Sequence, residues 1–190
     1  MLRDVTSDNV ISLDAARAVR TQPILDLVED YWDSLRDLRP MPRRDELDPR
    51  ALSGALAGAF VVERVAPGLA RVRLAGSHLS DLLGMEVRGM PISAMFEPQT
   101  RGRLAEALET AFASPAVVRA GLSCHGSIGR PALTGGMVLL PLMSDTGDVR
   151  ELLGALSMNG PTGRPPRRPE ISGMARRRID IAGATAVAPR

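Results

Sequence analysis

Ser123, Cys124 and His125 stand side by side and carry the atoms of a nucleophile and a general base. The segment that contains them is predicted to be a β-strand, in which neighbouring side chains point to opposite faces. Cys124 and His125 therefore cannot form a hydrogen-bonded dyad. We interpret them as a small buried Cys beside a surface or turn His. No G-x-S-x-G sequence offers a second nucleophile.

This sequence gives little support for a metal site or a phosphate-binding site. Two His and one Cys, with no short paired spacing, cannot close a tetrahedral protein site. The Gly-rich segment 126–136 lacks a G-K-[ST] ending and a following helix, so it predicts a hairpin turn. Arg39 and Arg43 have the R-x-x-x-R spacing of some cyclic-dinucleotide binders, but the D-x-S-x-x-G partner motif is missing. These observations disfavour an enzyme.

A set of Met, Phe and Leu residues is the remaining candidate for a binding site. Flexible thioethers adapt to varied apolar guests, and these side chains could line a space between a sheet and its helices. The alternative is an ordinary core in which Met replaces aromatic residues, which make up 3% of the chain. The candidate pocket residues are Met85, Met90, Met95, Phe96, Leu108, Phe112, Met137, Leu139, Leu156 and Met158.

The first predicted helix, residues 24–38, carries an apolar stripe that needs a surface to pack against. Pro40 and Pro42 end this helix. Trp and Tyr are favoured at the centres of interfaces. The stripe could pack on a second copy of the chain or on its own domain, and we expect a homodimer. The candidate interface residues are Tyr31, Trp32, Leu35 and Arg39.

The elements that position these residues follow the order α-α-β-β-α-α-β-β-β. Asp48 before Pro49 matches a helix N-cap, and Ser77 is a second N-cap candidate. Pro141 predicts an edge position or a bulge. The order predicts an α+β fold, a five-stranded antiparallel sheet with helices on one face. The predicted helices are 24–38, 50–59, 78–83 and 99–113, and the predicted strands are 60–65, 69–75, 117–125, 132–143 and 151–158.

Composition divides the chain into a core-bearing part and two tails. With 190 residues and 44% apolar content, one domain of ordinary size is expected. The net charge of +2 conceals a C-terminal segment with seven Arg against Glu170 and Asp180. We expect a flexible leader (1–21), an N-terminal helical cap (22–59), the main domain (60–160) and an Arg/Pro-rich tail (161–190). The tail could order on contact or add one strand near residues 177–187.

Several function classes are disfavoured by what the chain lacks. All 24 basic positions are Arg, which indicates a coding bias and weakens the argument for nucleic acid. One cysteine agrees with a reducing compartment, and no apolar run approaches the ~18 residues of a membrane span. The first 20 residues lack the apolar stretch of a signal peptide. A cytoplasmic protein without a membrane contact is expected.

Residues 74–104, LAGSHLSDLLGMEVRGMPISAMFEPQTRGRL, resemble the link into the long helix of PAS domains. Leu82, Gly84 and Gly89 fill the first part of that pattern, and Phe96, Pro98, Arg101 and Leu104 fill the second. The leader YWDSLRDLRPMPRRDELDP (31–49) resembles that of small single-domain PAS proteins of alphaproteobacteria.

The resemblance implies a sensor or interaction module that signals through contacts with itself or with a regulatory protein such as a sensor kinase. Haem-binding relatives place a His on the long helix, which residues 99–113 lack. Flavin-binding relatives carry a reactive Cys before that helix, where this chain has ISAMFEPQTR. No cofactor is therefore expected. An unidentified apolar ligand in the Met-rich space is the alternative function.

Overall fold

The computed structural model describes residues 23–179. Short 3-10 turns at Arg44–Glu46, Ile92–Met95 and Pro98–Thr100 connect the longer elements. The helices and strands are α1 (Pro23–Arg36), β1 (Ala59–Ala66), β2 (Leu69–Ala75), α2 (Ser77–Leu83), α3 (Arg101–Ala113), β3 (Ala116–Cys124), β4 (Leu133–Met143), β5 (Val149–Asn159) and β6 (Glu170–Arg178).

The strands form one antiparallel sheet in the order β2-β1-β5-β4-β3-β6. The predicted antiparallel sheet is confirmed, but it has six strands rather than five. The sixth strand, β6, pairs with β3 at one edge. We expected an added strand near residues 177–187; the strand lies earlier, and residues 180–187 fall outside the described part of the chain. Residues 170–178, which were assigned to the tail, therefore belong to the sheet.

The inner face of the sheet packs against α2, α3 and the two 3-10 turns between them. On α3, Leu104, Leu108 and Phe112 recur at four-residue steps and are all buried, as an amphipathic helix requires. Gly84 ends α2 in the left-handed conformation (φ 73°), which a residue with a side chain adopts at a cost. The Gly89 and Pro91 link then carries the chain to α3.

The outer face of the sheet is partly covered by α1. Leu25, Val28 and Trp32 lie at three- and four-residue steps and are fully buried against strand residues such as Val138 and Leu140. The predicted fold class is confirmed: α2 and α3 lie on one face, and the expected N-terminal cap, α1, lies on the other. The outward side chains of β4 and β5 are apolar, so this face needed a cover as well.

The expected helix at residues 50–59 is a series of turns instead. Asp48 does cap the segment, since its Oδ1 accepts a hydrogen bond from the Arg50 N–H at 2.9 Å. The next bonds, such as that from the Ala51 N–H to Asp48 O (3.1 Å), span three residues rather than the four of an α-helix. The Ser77 prediction is also wrong, because Gly76 occupies the N-cap of α2 and no side chain caps it.

Pro141 lies in β4, a central strand, although its sequence favours an edge. The β3–β4 ladder ends at the Val118–Leu139 pair, so Pro141 lies beyond it and pairs only with Leu152 of β5. Its carbonyl accepts a hydrogen bond from the Trp32 indole N–H at 2.9 Å. Pro141, which has no N–H, is therefore tolerated in this central strand because β4 is not paired with β3 at this position.

Within residues 23–179, none of the helices has the length and apolar character that a membrane crossing demands.

Candidate functional site

The structure brings most of the predicted pocket residues together on the inner face of the sheet. Eight of them have at most 7% of their surface exposed and belong to one cluster. Met90 lies at the edge of this cluster. Met85 follows the turn at Gly84, is 55% exposed and lies outside this cluster. The eight buried residues are Met95, Phe96, Leu108, Phe112, Met137, Leu139, Leu156 and Met158.

An aromatic ring fills part of this inner cluster. Phe60 on β1 stands opposite Gly154 on β5, and a Cβ at Gly154 would overlap the Phe60 ring. Glycine thus makes room for the ring. A planar cofactor at this place would have to displace Phe60, so the inner cluster has the character of a packed core. The prediction that neither haem nor flavin is bound stays a prediction.

Trp32 packs on its own domain. Its side chain is completely buried, donates a hydrogen bond to Pro141 O and lies 5.2 Å below the Arg36 guanidinium. It has no surface to offer a second copy. Tyr31 and Leu35 are partly exposed, and the Tyr31 hydroxyl accepts a hydrogen bond from the Asp48 N–H at 2.7 Å. Their role in an interface stays a prediction.

Arg39 fixes the chain where α1 ends. Its Nη2 donates to Leu35 O (2.8 Å) and to Glu46 Oε1 (2.8 Å). The Glu46 carboxylate also accepts a hydrogen bond from the Arg43 N–H (2.7 Å). The Arg39 bond, followed by that of Arg43, lowers the pKa of Glu46 below its usual value. Arg39 therefore has a structural role in addition to its predicted place in an interface.

A network of ion pairs ties α1 to the β3–β6 edge of the sheet. Arg119 on β3, 18% exposed, pairs with Asp26 and Glu29 of α1, both at 2.7 Å. Arg177 on β6 pairs with Glu29 (2.8 Å) and Asp33 (3.2 Å). Arg177 was expected in an exposed tail, but its side chain is engaged within the domain.

The part of the outer face that α1 leaves open contains an apolar cavity of about 520 Å³. It lies between the turns of residues 49–58 and strands β1, β2 and β5. We call this cavity the outer groove. The leucine and valine side chains that line it are Leu47, Leu52, Leu56, Val61, Leu74 and Leu153.

The outer groove exists because residues 49–58 run close to the end of β2. A Cβ at Gly76 would overlap the carbonyls of Leu56 and Ala57, so the two segments touch through this glycine. Leu56 and Leu74 stay 46% and 42% exposed at the mouth of the groove. Leu27 of α1, 40% exposed, lies beside it. The sequence pattern of residues 50–59 predicted a close-packed helix and gave no sign of the groove.

Cys124, His125 and His78 have different surroundings. Cys124 is buried and His125 is exposed, as the strand period predicts. Burial raises the pKa of the Cys124 thiol above its usual value, which disfavours the thiolate. His78 is half-buried; its Nε2 accepts a hydrogen bond from the Met158 N–H (3.3 Å), and burial lowers its pKa. Among residues 23–179, no three His, Cys, Asp or Glu side chains are grouped as metal ligands.

The fold agrees with a family profile. Its features are this strand order, a helical excursion over the inner face of the sheet and a long helix before the last strands. The profile described as PAS domain matches residues 20–157, more than half of the chain. The chain belongs to the PAS domain family. The PAS resemblance of residues 74–104 is thereby confirmed at the level of the family. PAS domains are sensor modules in signal transduction, and that general function applies to this chain.

Solved structures to which this PAS domain is similar include three light-oxygen-voltage (LOV) proteins. The light-state Aureochrome1 LOV domain is 14% identical with a TM-score of 0.41, over 58% of this chain and 88% of that one. An RNA-binding light-oxygen-voltage receptor is 20% identical with a TM-score of 0.41, over 62% of this chain and 35% of that one. A light-oxygen-voltage domain studied with a flavin analogue is 16% identical with a TM-score of 0.40, over 58% and 83%. Among curated proteins, none matches this chain.

Proposed function

We propose that this PAS domain is a non-enzymatic, cytoplasmic signalling module that acts through protein contacts, and that the outer groove binds a second copy of the chain. The resemblance to small single-domain PAS proteins of alphaproteobacteria supports this function. The observation that carries the proposal is the outer groove itself, an apolar cavity of about 520 Å³ open at the surface. Exposed apolar surface of this kind marks interaction sites.

A second copy of the chain suits the groove because the same surface carries protruding side chains and a cavity that can receive them. A two-fold interface uses the same surface on both copies, so that surface needs both parts. Leu27 and Leu56 protrude beside the cavity, with 40% and 46% of their surface exposed. Each copy can therefore insert leucine side chains into the groove of the other.

The charges around the groove also permit self-association. Arg44 at the rim pairs with Glu151 at 3.3 Å, and Arg73 on β2 pairs with Glu63, its Nε 2.6 Å from the carboxylate. Each charge has an opposite partner within the same copy. Two copies that meet here do not bring unbalanced like charges together, which would oppose binding.

The proposed output is a change in the fraction of dimer. A regulatory protein such as a sensor kinase would read this change, since a surface that is covered in the dimer becomes open in the monomer. The inner cluster supports this reading, because it is packed around Phe60 and Gly154. The signal then depends on the surface of the domain rather than on a guest in its interior.

Sedimentation velocity of the full chain tests the proposal. The Leu56→Glu variant places a charge at the mouth of the groove, and its matched control, Ile128→Glu, places the same charge at a fully exposed site in the β3–β4 turn. We expect the unmodified chain and Ile128→Glu to sediment as dimers at about 100 µM, and Leu56→Glu to sediment as a monomer, because an unpaired charge opposes burial.

Two outcomes would contradict the proposal. One is a monomeric unmodified chain at that concentration, and the other is equal dimerisation of Leu56→Glu and Ile128→Glu. Native mass spectrometry adds a further arm. A small apolar molecule retained by a monomer would replace the proposal with the alternative, a ligand-binding protein whose site is the outer groove instead of the Met-rich interior.

A further inference from the structure

A second cavity, of about 270 Å³, lies where β6 begins. It is enclosed by the β3–β4 turn, the segment before β6 and the residue that precedes the Pro98–Thr100 turn. We call it the polar pocket. Its lining residues are Glu97, Cys124, His125, Ser127, Arg130, Pro166, Arg167, Arg168 and Glu170.

Arg167 is the central observation, since only 3% of its surface is exposed. Its Nη1 and Nη2 donate to the carbonyls of Thr162 and Pro131. Among the described residues, none of its ion-pair distances to a carboxylate falls within 4 Å. A buried cation is costly unless a negative charge accompanies it. The pocket next to Arg167 is where such a charge can be supplied.

The other charged side chains of the pocket leave a positive surplus. Arg168 donates only to the carbonyl of Ala94 (3.1 Å), and the Arg130 side chain makes no hydrogen bond or ion pair with the described residues. Glu170 is engaged by Gln99 (2.8 Å) and faces His125 (3.6 Å). Glu97 has no such partner within residues 23–179. Three Arg against Glu97 and Glu170 leave one positive charge to balance.

The walls of the pocket are held in place before any ligand arrives. The Arg167 N–H donates to Leu82 O (2.6 Å), the Glu97 N–H to Pro169 O (3.2 Å) and the Arg164 N–H to Gly129 O (3.3 Å). These bonds attach the segment before β6 to α2 and to the β3–β4 turn. Preorganised donors lose little entropy on binding. Residues 158–179 lie beyond the part of the chain that matches the PAS family, and they supply four of the lining residues, Pro166, Arg167, Arg168 and Glu170.

We propose that the polar pocket binds a small oxyanion, of the phosphate or dicarboxylate class, through Arg130, Arg167 and Arg168. Guanidinium groups present planar forks of donors that match the oxygens of phosphate and carboxylate. The surplus of positive charge favours an anion. The Ser127 hydroxyl lines the same space and supplies a further donor.

Isothermal titration calorimetry on the full chain tests this proposal, with inorganic phosphate and succinate as probes. The variant is Arg130→Gln, since this side chain makes no bond within the described residues whose loss would unfold the domain. The matched control is Arg71→Gln, which removes the same charge from an exposed position on β2. We expect Arg130→Gln to weaken binding of at least one probe about tenfold or more, because a charge-assisted hydrogen bond is lost, and Arg71→Gln to leave it unchanged.

The backbone NMR signals of residues 124–131 and 162–170 should shift with the same probe and saturate with the same affinity. Tighter binding of phosphate assigns the phosphate class, and tighter binding of succinate assigns the dicarboxylate class. Binding of neither probe overturns the proposal. Equal weakening by Arg130→Gln and Arg71→Gln overturns it as well, because that result would reflect overall charge only.

Discussion

Gly154 and Phe60 decide the character of the inner cluster, because one residue without a side chain makes room for an aromatic ring. We expect Gly154→Ala to lower the free energy of unfolding by about 1–3 kcal/mol, since the new methyl group overlaps the ring. Gly102 lies in α3 with nothing within 4 Å of an added Cβ. Gly102→Ala should raise the free energy of unfolding by about 0.5–1 kcal/mol, because alanine favours helix.

Urea denaturation of both variants measures these changes. The account of a filled interior would be contradicted if Gly154→Ala were as stable as the unmodified chain. Such a result would mean that the space beside Phe60 can hold more atoms.

His78 gives the folded protein a dependence on pH. Burial holds the pKa of His78 below its ordinary value of 6.5, against a weaker opposite effect of Asp81. Protonation therefore favours the unfolded chain. The contribution of His78 to stability is complete above about pH 6.5 and is lost as the pH falls from there toward the lower folded-state pKa.

The free energy of unfolding, measured in urea at several values between about pH 5 and 7.5, checks this prediction. We expect His78→Gln to flatten the decrease toward acid. His125→Gln is the matched control, because it replaces the other, exposed histidine and should keep the decrease. If both variants show the full decrease, burial of His78 is not its cause.

At the residue scale, the sequence predicted orientation better than it predicted exposure. The period of a strand placed Cys124 inside and His125 outside, as the structure has them. The exposure of Met85 and the partial burial of His78 both depend on how the chain folds around them. Met85 lies just after the left-handed turn at Gly84, which directs it to solvent, and the burial of His78 depends on its contact with Met158, 80 positions away.

At the scale of elements, α1 is joined to the sheet mainly through Trp32. Its ring is completely buried and its indole N–H donates to Pro141 O. We expect Trp32→Ala to lower the free energy of unfolding by about 3–5 kcal/mol. Trp32→Phe keeps most of the apolar contact and should lose less.

Far-UV circular dichroism in urea measures the unfolding of these variants. Leu38→Ala is the control, since the Leu38 side chain is fully exposed and should change the free energy of unfolding by less than about 0.5 kcal/mol. A Trp32→Ala variant as stable as this control would show that α1 contributes little to the fold.

Hydrophobic periodicity predicted most elements, because it records the face that each element buries. The bounds of β2 are the predicted ones, and α1, α3 and the other strands of the first five differ from prediction by a few residues. The helix predicted at residues 50–59 is absent because a capping residue such as Asp48 can begin either a turn or a helix. The capping residue does not show whether the hydrogen bonds that follow span three residues or four. The strand β6 was missed because Gly173 and three successive Arg weaken its alternation.

For the whole molecule, within residues 23–179, α2 and α3 pack on the inner face of the sheet and α1 packs on the outer face. Neither the groove nor the polar pocket could be predicted from the sequence, because each depends on the spacing between segments far apart in the chain. The polar pocket lies where β6 begins, and Arg177 near the end of β6 is ion-paired to α1. An anion at one end and a protein contact on the outer face would therefore act on connected elements.

Self-association through the outer groove is the central claim, and hydrogen exchange measured at two protein concentrations tests it most directly. Deuterium uptake in residues 49–58 and 69–76 should be slower at about 100 µM than at about 1 µM, because mass action favours the dimer. Uptake in residues 125–130, outside the proposed interface, should not change, and Leu56→Glu should abolish the difference. Uptake in residues 49–58 and 69–76 that is the same at both concentrations would contradict the account.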